Sequence, residues 1–506
     1  MPSDMRPFVG AALVSLAAAT SAAAQASPYL PVDDTRLPLL EHLIARGDVQ
    51  DPSPMIRPFR VADALRVLAA ADTAPSTPNG RDISALRKSL QQEMLEAEAW
   101  WRVEVRVGGE AYTQKRLDLL HLGGPGAENP YFDLALRGAV GKIAFATRPS
   151  VEPSLIGNPD WPNTAQENIT GRLVEGYLSA QFKMGSLTYG QLEQNWGPVG
   201  LPGIPLSDYG FQRQGLGLEI GTKDVRLNAF ASDLRTEIDS VGQNINRYLI
   251  VHRLGARFSQ RLDLALWEAI IISGNGRVLE TPFANPLSPS VLANTFGVED
   301  LNSNDMIGLD MQWRAVGRIN VTAQLALDDF LFNKRYQAPD RWALTVGAFG
   351  PLGARASWRA LYTQVSSLAL RTFDAFENFT DAGVGTGRNF SDMDLALLTA
   401  SAPVKRAFLV SAELAVQRQG EGRIDAPFPA RNAEGNIDVP GIFIGTVEHT
   451  YRIGLGVTGR YGPVDINGNA GLNHVTNDQN RLGVTANRFV GRIRVTLALS
   501  RRGVLK

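Results

Sequence analysis

The chain of 506 residues contains no cysteine. That excludes disulfides, thiolate metal sites and cysteine nucleophiles, and it suits a chain that crosses an oxidising periplasm unfolded. Histidine is scarce, at five residues, and His42, His121, His252, His449 and His474 show no metal-ligand or nucleophile spacing. No cofactor, no metal and no enzymatic activity are therefore expected; an esterase built on His252 would need a serine and an orienting group to converge on one rim. A formal net charge of −1 gives no bulk field for nucleic acid. Past the N-terminus no uninterrupted apolar stretch approaches the roughly 20 residues of a spanning helix, so a helical membrane protein is excluded although 44% of residues are hydrophobic.

What is present begins with Arg6, an apolar run over 8–19 and the small residues Ser21, Ala22, Ala23, Ala24 and Ala26. This is the pattern of a secretory signal peptide, with Ala22-x-Ala24 and Ala24-x-Ala26 as cleavage sites, and we assign residues 1–26 to it with Ser27 as the preferred first mature residue. Helical spacing runs from 37 to 99, and we assign 27–99 to a small periplasmic helical domain expected to plug a barrel. Leu39, Leu40, Leu43 and Ile44 form one stripe over 37–46; Val61, Leu65 and Leu68 form another over 61–71; a third helix follows Asp82 as N-cap and runs past Leu86, Leu90 and Leu95.

From Trp101 the apolar period changes to two, which marks 100–506 as a second domain. Ile307, Leu309, Met311 and Trp313 alternate with Gly308, Asp310, Gln312 and Arg314, and Ile319 to Leu327 repeat the pattern against Arg318 to Asp328. We read about 18 such segments, many of about 9–14 residues, which is long for soluble strands and right for tilted membrane-spanning ones: an all-β, antiparallel outer-membrane β-barrel. Short turns such as Ala315-Val316-Gly317 and Tyr461-Gly462-Pro463 mark the periplasmic rim; the polar stretches 274–305, 373–392 and 420–441 are expected extracellular loops. The polar register assigns Glu193, Arg253, Glu268, Asp310, Arg314, Arg318, Asp328, Arg452, Arg492 and Arg494 to the lumen, either as an ion-pair network that rigidifies an occluded interior or as the lining of a channel.

The segment Gly190-Gln191-Leu192-Glu193-Gln194-Asn195-Trp196-Gly197-Pro198, with Leu206-Ser207 after it, resembles the Wzi-type capsule-assembly outer-membrane proteins. The order of motifs supports the likeness: His252-Arg253-Leu254, Trp267-Glu268-Ala269, Asn285-Pro286-Leu287 and Asp328-Asp329-Phe330 follow, and Pro31-Val32-Asp33-Asp34 and Arg57-Pro58 look like that family's periplasmic helical region. The resemblance implies a barrel of about 18 strands plugged at its periplasmic end and a role as a surface lectin that anchors capsular polysaccharide or exopolysaccharide; it does not imply catalysis, and a monomer is expected. The chain ends in Arg501-Arg502-Gly503-Val504-Leu505-Lys506 rather than an aromatic residue, so recognition by the barrel-assembly machinery is expected to use an internal signal around Phe489.

Sugar binding combines aromatic faces with forked polar side chains. The expected loops supply both in Phe296, Phe376, Asn378, Phe379, Asp381, Arg388, Asn389, Phe390, Phe428, Arg431 and Asn432. The alternative is a porin for sugars or small anions, which the same alternation allows.

Overall fold

The computed structural model describes residues 26–505 apart from 75, 115–124, 159, 162–169, 212, 289–302, 330–336 and 406. The expected signal segment up to residue 25, His121, Phe296 and Phe330 lie outside the described residues. Eighteen antiparallel strands, the first Ala99–Gln114 and the last Thr485–Val504, each pair with their neighbours in sequence and close into a barrel. The closing ladder runs from Trp100 opposite Val504 to Tyr112 opposite Arg492. Closure leaves no strand edge with unpaired backbone groups, the condition for a sheet surrounded by hydrocarbon. Among the described residues no helix is long and apolar enough to cross a membrane.

Alternation in the sequence becomes two faces. Along Ser303–Arg314, Asn304, Met306 and Asp310 are buried while Ile307, Leu309 and Trp313 are exposed. Leu266, Leu455 and Leu499 are 65–68% exposed on the outside, which is stable in lipid and not in water. One end of the barrel has turns of two to five residues; at 141 and 462 glycine takes the positive φ that such turns need. The other end carries the connections 152–170, 192–213, 276–302, 366–392 and 420–447. In barrels of this kind the short turns are periplasmic and the long loops extracellular.

Three helices, Leu37–Ala45, Val61–Ala70 and Gly80–Gln91, precede the barrel. Their apolar stripes meet in a small core of Leu40, Leu43, Phe59, Leu68, Ile83 and Leu90, and the wall residue Leu409 joins it, so the helices sit inside the barrel. The third starts at Gly80, ahead of the expected cap; Asp82 is instead buried in its first turn and binds Arg355 of a periplasmic turn at 2.6 Å. Further ties to the wall are Asp33 to Arg148 at 2.8 Å, Thr35 to Asp465 at 2.7 Å and His42 Nδ1 to Ser357 Oγ at 2.7 Å. Within the plug, buried Arg36 spans Asp34 and Glu93, and Arg57 spans Glu41 and Asp51.

Most of the expected lumen residues do point inward. Arg253 meets Asp310 at 2.7 Å, Asp310 also accepts from Trp267 Nε1 and Gln324, and Asp328 accepts from the Leu370 backbone. Arg452 binds Glu413 and Asn473, and both Arg492 and Arg494 converge on Glu110. Glu193 stands on an inward-folded loop, 3.7 Å from Arg172, and Arg314 ends its strand exposed at the rim. Two assignments are corrected. Arg318 is not on a wall strand but in the 315–319 turn, where it pairs with Asp48 of the plug, because the next strand starts only at Asn320. Glu268 faces outward: its neighbour Trp267 is held in the lumen by Asp310, so the pleat turns Glu268 to the outer face, where it meets His252 directly across the ladder at 2.8 Å. That pair is buried beside an outer cluster of Ile250, Ile270, Ile272 and Phe283, the last on the short helix Thr281–Ala284 of an extracellular loop. The outward positions paired around it, Ala229 and Ile307, carry no hydroxyl or thiol that the histidine could activate.

Candidate functional site

The connections 192–213 and 366–392 fold inward into a layer over the barrel mouth. The connection 192–213 reaches deepest. Its Asn195–Trp196 pairs with Ile56–Arg57 of the plug, and Gln324 of the wall holds it by bonding Trp196 O and Ile204 N. The connection 366–392 lies on it: Ser207 Oγ donates to Gly387 O, and Ser207 N to Thr386 O. Chains carrying this many polar backbone groups remain buried because side chains and neighbouring loops satisfy them.

Most of the expected sugar-binding residues hold this layer together. Asn378 is fully buried, accepting from Thr372 N and donating to Ile424 O and Ala426 O. Phe379 belongs to the lumen core, and the Phe376 carbonyl accepts from Arg247. Asn389 caps Gly385 N, Phe390 meets Tyr209 edge-on at 5.5 Å, and Asn432 closes its own turn onto Glu434 N and Asn436 N. Phe428 packs edge-on against Phe373 at 5.0 Å, and Arg431 stacks on that same ring at 4.4 Å. Arg388 is fully buried with one hydrogen bond, to Thr345 Oγ1 at 2.9 Å; burial without a carboxylate partner pushes its guanidinium down to about 10. Of the set, Asp381 borders one open cleft, and Asn389 and Phe390 line another of about 430 Å³.

The cleft, of about 340 Å³, lies between the loops 152–170, 192–213 and 366–392, so three separated stretches of sequence build it. Trp161 and Phe211 meet edge to face with centroids 4.5 Å apart. The Arg172 guanidinium lies 5.7 Å from the Phe211 ring and is anchored by Glu152 at 3.2 Å. Arg213 is buried; two of its nitrogens donate to the Thr386 and Gly385 carbonyls, while its Nε lacks a hydrogen bond and lies 3.7 Å from Asp381 Oδ2. Asp381 also accepts from Arg235 N at 3.0 Å. The Trp161 indole N–H is buried without a partner. Sequence reading passed over Trp161, Phe211, Arg172, Arg213 and Arg235. The signal available was two aromatics and two arginines in or beside 152–170 and 192–213, stretches outside the expected sugar-binding loops.

Below the cleft a second cavity, of about 400 Å³, separates the plug from the wall and is lined by Asp33, Asp34, His42, Asp208 and Arg359 among others. Burial, reinforced by nearby Asp33, pushes Glu193 up to about 8, while at Asp33 the Arg148 guanidinium overrides burial and holds the carboxyl at about 2. Burial raises Asp208 as well. His42, buried and close to Arg46, is lowered to about 4 and stays neutral. Among the described residues no group of acidic or histidine side chains is arranged to hold a metal ion.

No protein-family model matches the chain, and no curated protein matches it in sequence. Its fold does match solved structures. Over 95% of this chain and 99% of the other, it superposes on Wzi of Escherichia coli, an outer-membrane protein involved in group 1 capsule assembly and a carbohydrate-binding β-barrel, with a TM-score of 0.64 and 16% identity. The Acinetobacter baumannii OccAB4 barrel follows at TM-score 0.45, 11% identity, and 81% and 99% coverage of the two chains. Pseudomonas aeruginosa OprD matches at 0.46 and 9%, with 80% and 97% covered. The chain therefore has the fold of an outer-membrane β-barrel of the Wzi kind, including the helical region inside it.

Proposed function

We propose that this protein sits in the outer membrane and binds capsular polysaccharide or exopolysaccharide at the cell surface through its extracellular loop layer, anchoring the polymer without cleaving it. One observation carries the reading: plug helices and inward-folded loops fill the lumen and are tied to it by ion pairs, while the loop layer keeps an open cleft lined by aromatic rings, guanidinium groups and carboxylates. Those groups suit sugar, whose C–H faces stack on rings and whose hydroxyls accept forked hydrogen bonds. The fold shared with a carbohydrate-binding barrel supports the same reading. Lipid on the outer face and the barrel-assembly machinery are its other expected partners, and it works as a monomer.

A channel for sugars or small anions is the second reading, favoured by the cavity between plug and wall, which displacement of the plug would extend. One experiment separates them. Deleting the gene in its host should increase shed polysaccharide, and the pure protein in a planar bilayer should show no steady conductance. Unchanged retention together with a stable open pore would establish the channel and overturn the anchor.

A further inference from the structure

Eight short turns close the periplasmic end of the barrel, at 141–142, 183–184, 222–224, 260–261, 315–319, 353–355, 405–407 and 462–463. Seven of the eight carry a lysine or arginine, against a single acid, Asp224. The whole chain has a net charge of −1, so this excess is a local feature of one rim. Part of it is used within the molecule: Arg318 pairs with Asp48 and Arg355 with Asp82, both of the plug, and Lys142 has a partner as well. Lys183, Lys223, Arg261 and Lys405 are exposed, and among the described residues their side chains make no hydrogen bond or ion pair. Each lies within three residues of a large exposed apolar side chain: Met184, Val225, Phe258 and Val404 respectively. Val225, Phe258 and Val404 continue the lipid-facing register of Leu254 and Leu398. Trp313 and Tyr461, exposed at strand ends beside two further turns, mark the same level, since such rings settle where hydrocarbon gives way to headgroups. We infer that this rim is a docking surface for acidic phospholipid of the leaflet facing the periplasm, with acyl chains on the apolar side chains and headgroup phosphates on Lys183, Lys223, Arg261 and Lys405. A net-negative headgroup neutralises the unpaired cations, whereas a zwitterionic one brings an ammonium that opposes them. Lys183, Lys223 and Arg261 fall on three consecutive periplasmic turns, so they form an arc that spans several headgroups. A soluble acidic partner would meet the charge but leave unexplained the apolar group beside every cation. The surface lies at the end of the barrel opposite the loop layer and is independent of what those loops bind.

The test places the full chain in phosphatidylcholine bilayers with a trace of spin-labelled phosphatidylglycerol or spin-labelled phosphatidylcholine, and reads the protein-restricted fraction of each by electron paramagnetic resonance. Phosphatidylglycerol should associate about fivefold more strongly, the equivalent of one cation acting on one headgroup, and the preference should shrink as salt is raised. A combined variant, Lys183→Gln with Lys223→Gln, Arg261→Gln and Lys405→Gln, should lose most of that preference. Its heat-modifiable migration should match the parent, because all four side chains are exposed. Asp224→Asn, which removes the opposing acid, should raise the preference. Equal association of the two lipids with the parent, or an undiminished preference in the fourfold variant, overturns the proposal. So does a parent that shows no lipid preference yet binds soluble polyglutamate where the fourfold variant does not, an outcome that would assign the rim to an acidic protein partner.

Discussion

Glu110 is buried on the first strand and receives both Arg492 and Arg494 of the last. Glu110→Gln would leave two guanidinium groups facing a neutral amide in a low-dielectric lumen. Breaking a buried ion pair from one side costs about 3–5 kcal/mol, and the half-exposed edge of Arg492 places the effect at the lower end, about 3 kcal/mol, in urea unfolding from liposomes. The inward direction of Arg492 and Arg494 was legible from alternation. Glu110 was not, because it lies more than 380 residues away in sequence and meets them only through closure. Glu193 makes a second prediction, on pH. Its folded carboxyl is raised to about 8 from an ordinary 4.5, so its contribution is fully present below about 4.5 and is lost as pH rises through about 8. Limited proteolysis of the plug should accelerate between those values, and Glu193→Gln, which keeps a neutral side chain, should flatten the profile. Unaltered pH dependence in that variant would assign the effect to other groups.

At the scale of elements, the decisive piece is the connection 192–213. The strand before the Asn195-Trp196-Gly197-Pro198 motif stops at Gln191, and the motif descends into the barrel to pair with the plug. Trp196 is 3% exposed and packs with Leu206, Phe230, Leu249 and Trp267. Trp196→Ala should cost about 3–5 kcal/mol of local stability. Because this loop clasps the plug, the same variant should show brief conductance openings in a bilayer where the parent shows none; silence there would mean that the ion pairs alone hold the plug. The three helices were legible, since their apolar stripes are local and obey a fixed period. Where they dock was not, since a stripe states that a face is buried and not against what.

For the whole molecule, the barrel wall is a single sheet whose outer face must meet lipid. Leu325→Arg, on that face opposite Leu309 and Leu344, should destabilise the barrel by about 2–4 kcal/mol near the midplane, measured by unfolding in liposomes. A neutral result would place the position at the interface rather than within hydrocarbon. Removing 27–91 should convert a silent barrel into one with steady conductance, since the plug helices and their ion pairs occupy the periplasmic half of the lumen.

The strand period, the long apolar alternation, the helical N-terminal region and the absence of cysteine are written in local sequence, and together they determine the class of fold. Such signals are local because side-chain direction in a strand follows from the pleat alone. Tertiary structure decided the rest. The face taken by Glu268 depended on Trp267 finding Asp310 on the next strand, and Arg318, left in a turn because the strand starts only at Asn320, meets Asp48 of the plug. The cleft exists only where 152–170, 192–213 and 366–392 converge, and no one of those stretches carries enough of it to be recognised alone. Loops have no period to read, and their side chains acquire partners only when the barrel brings separate connections to the same rim.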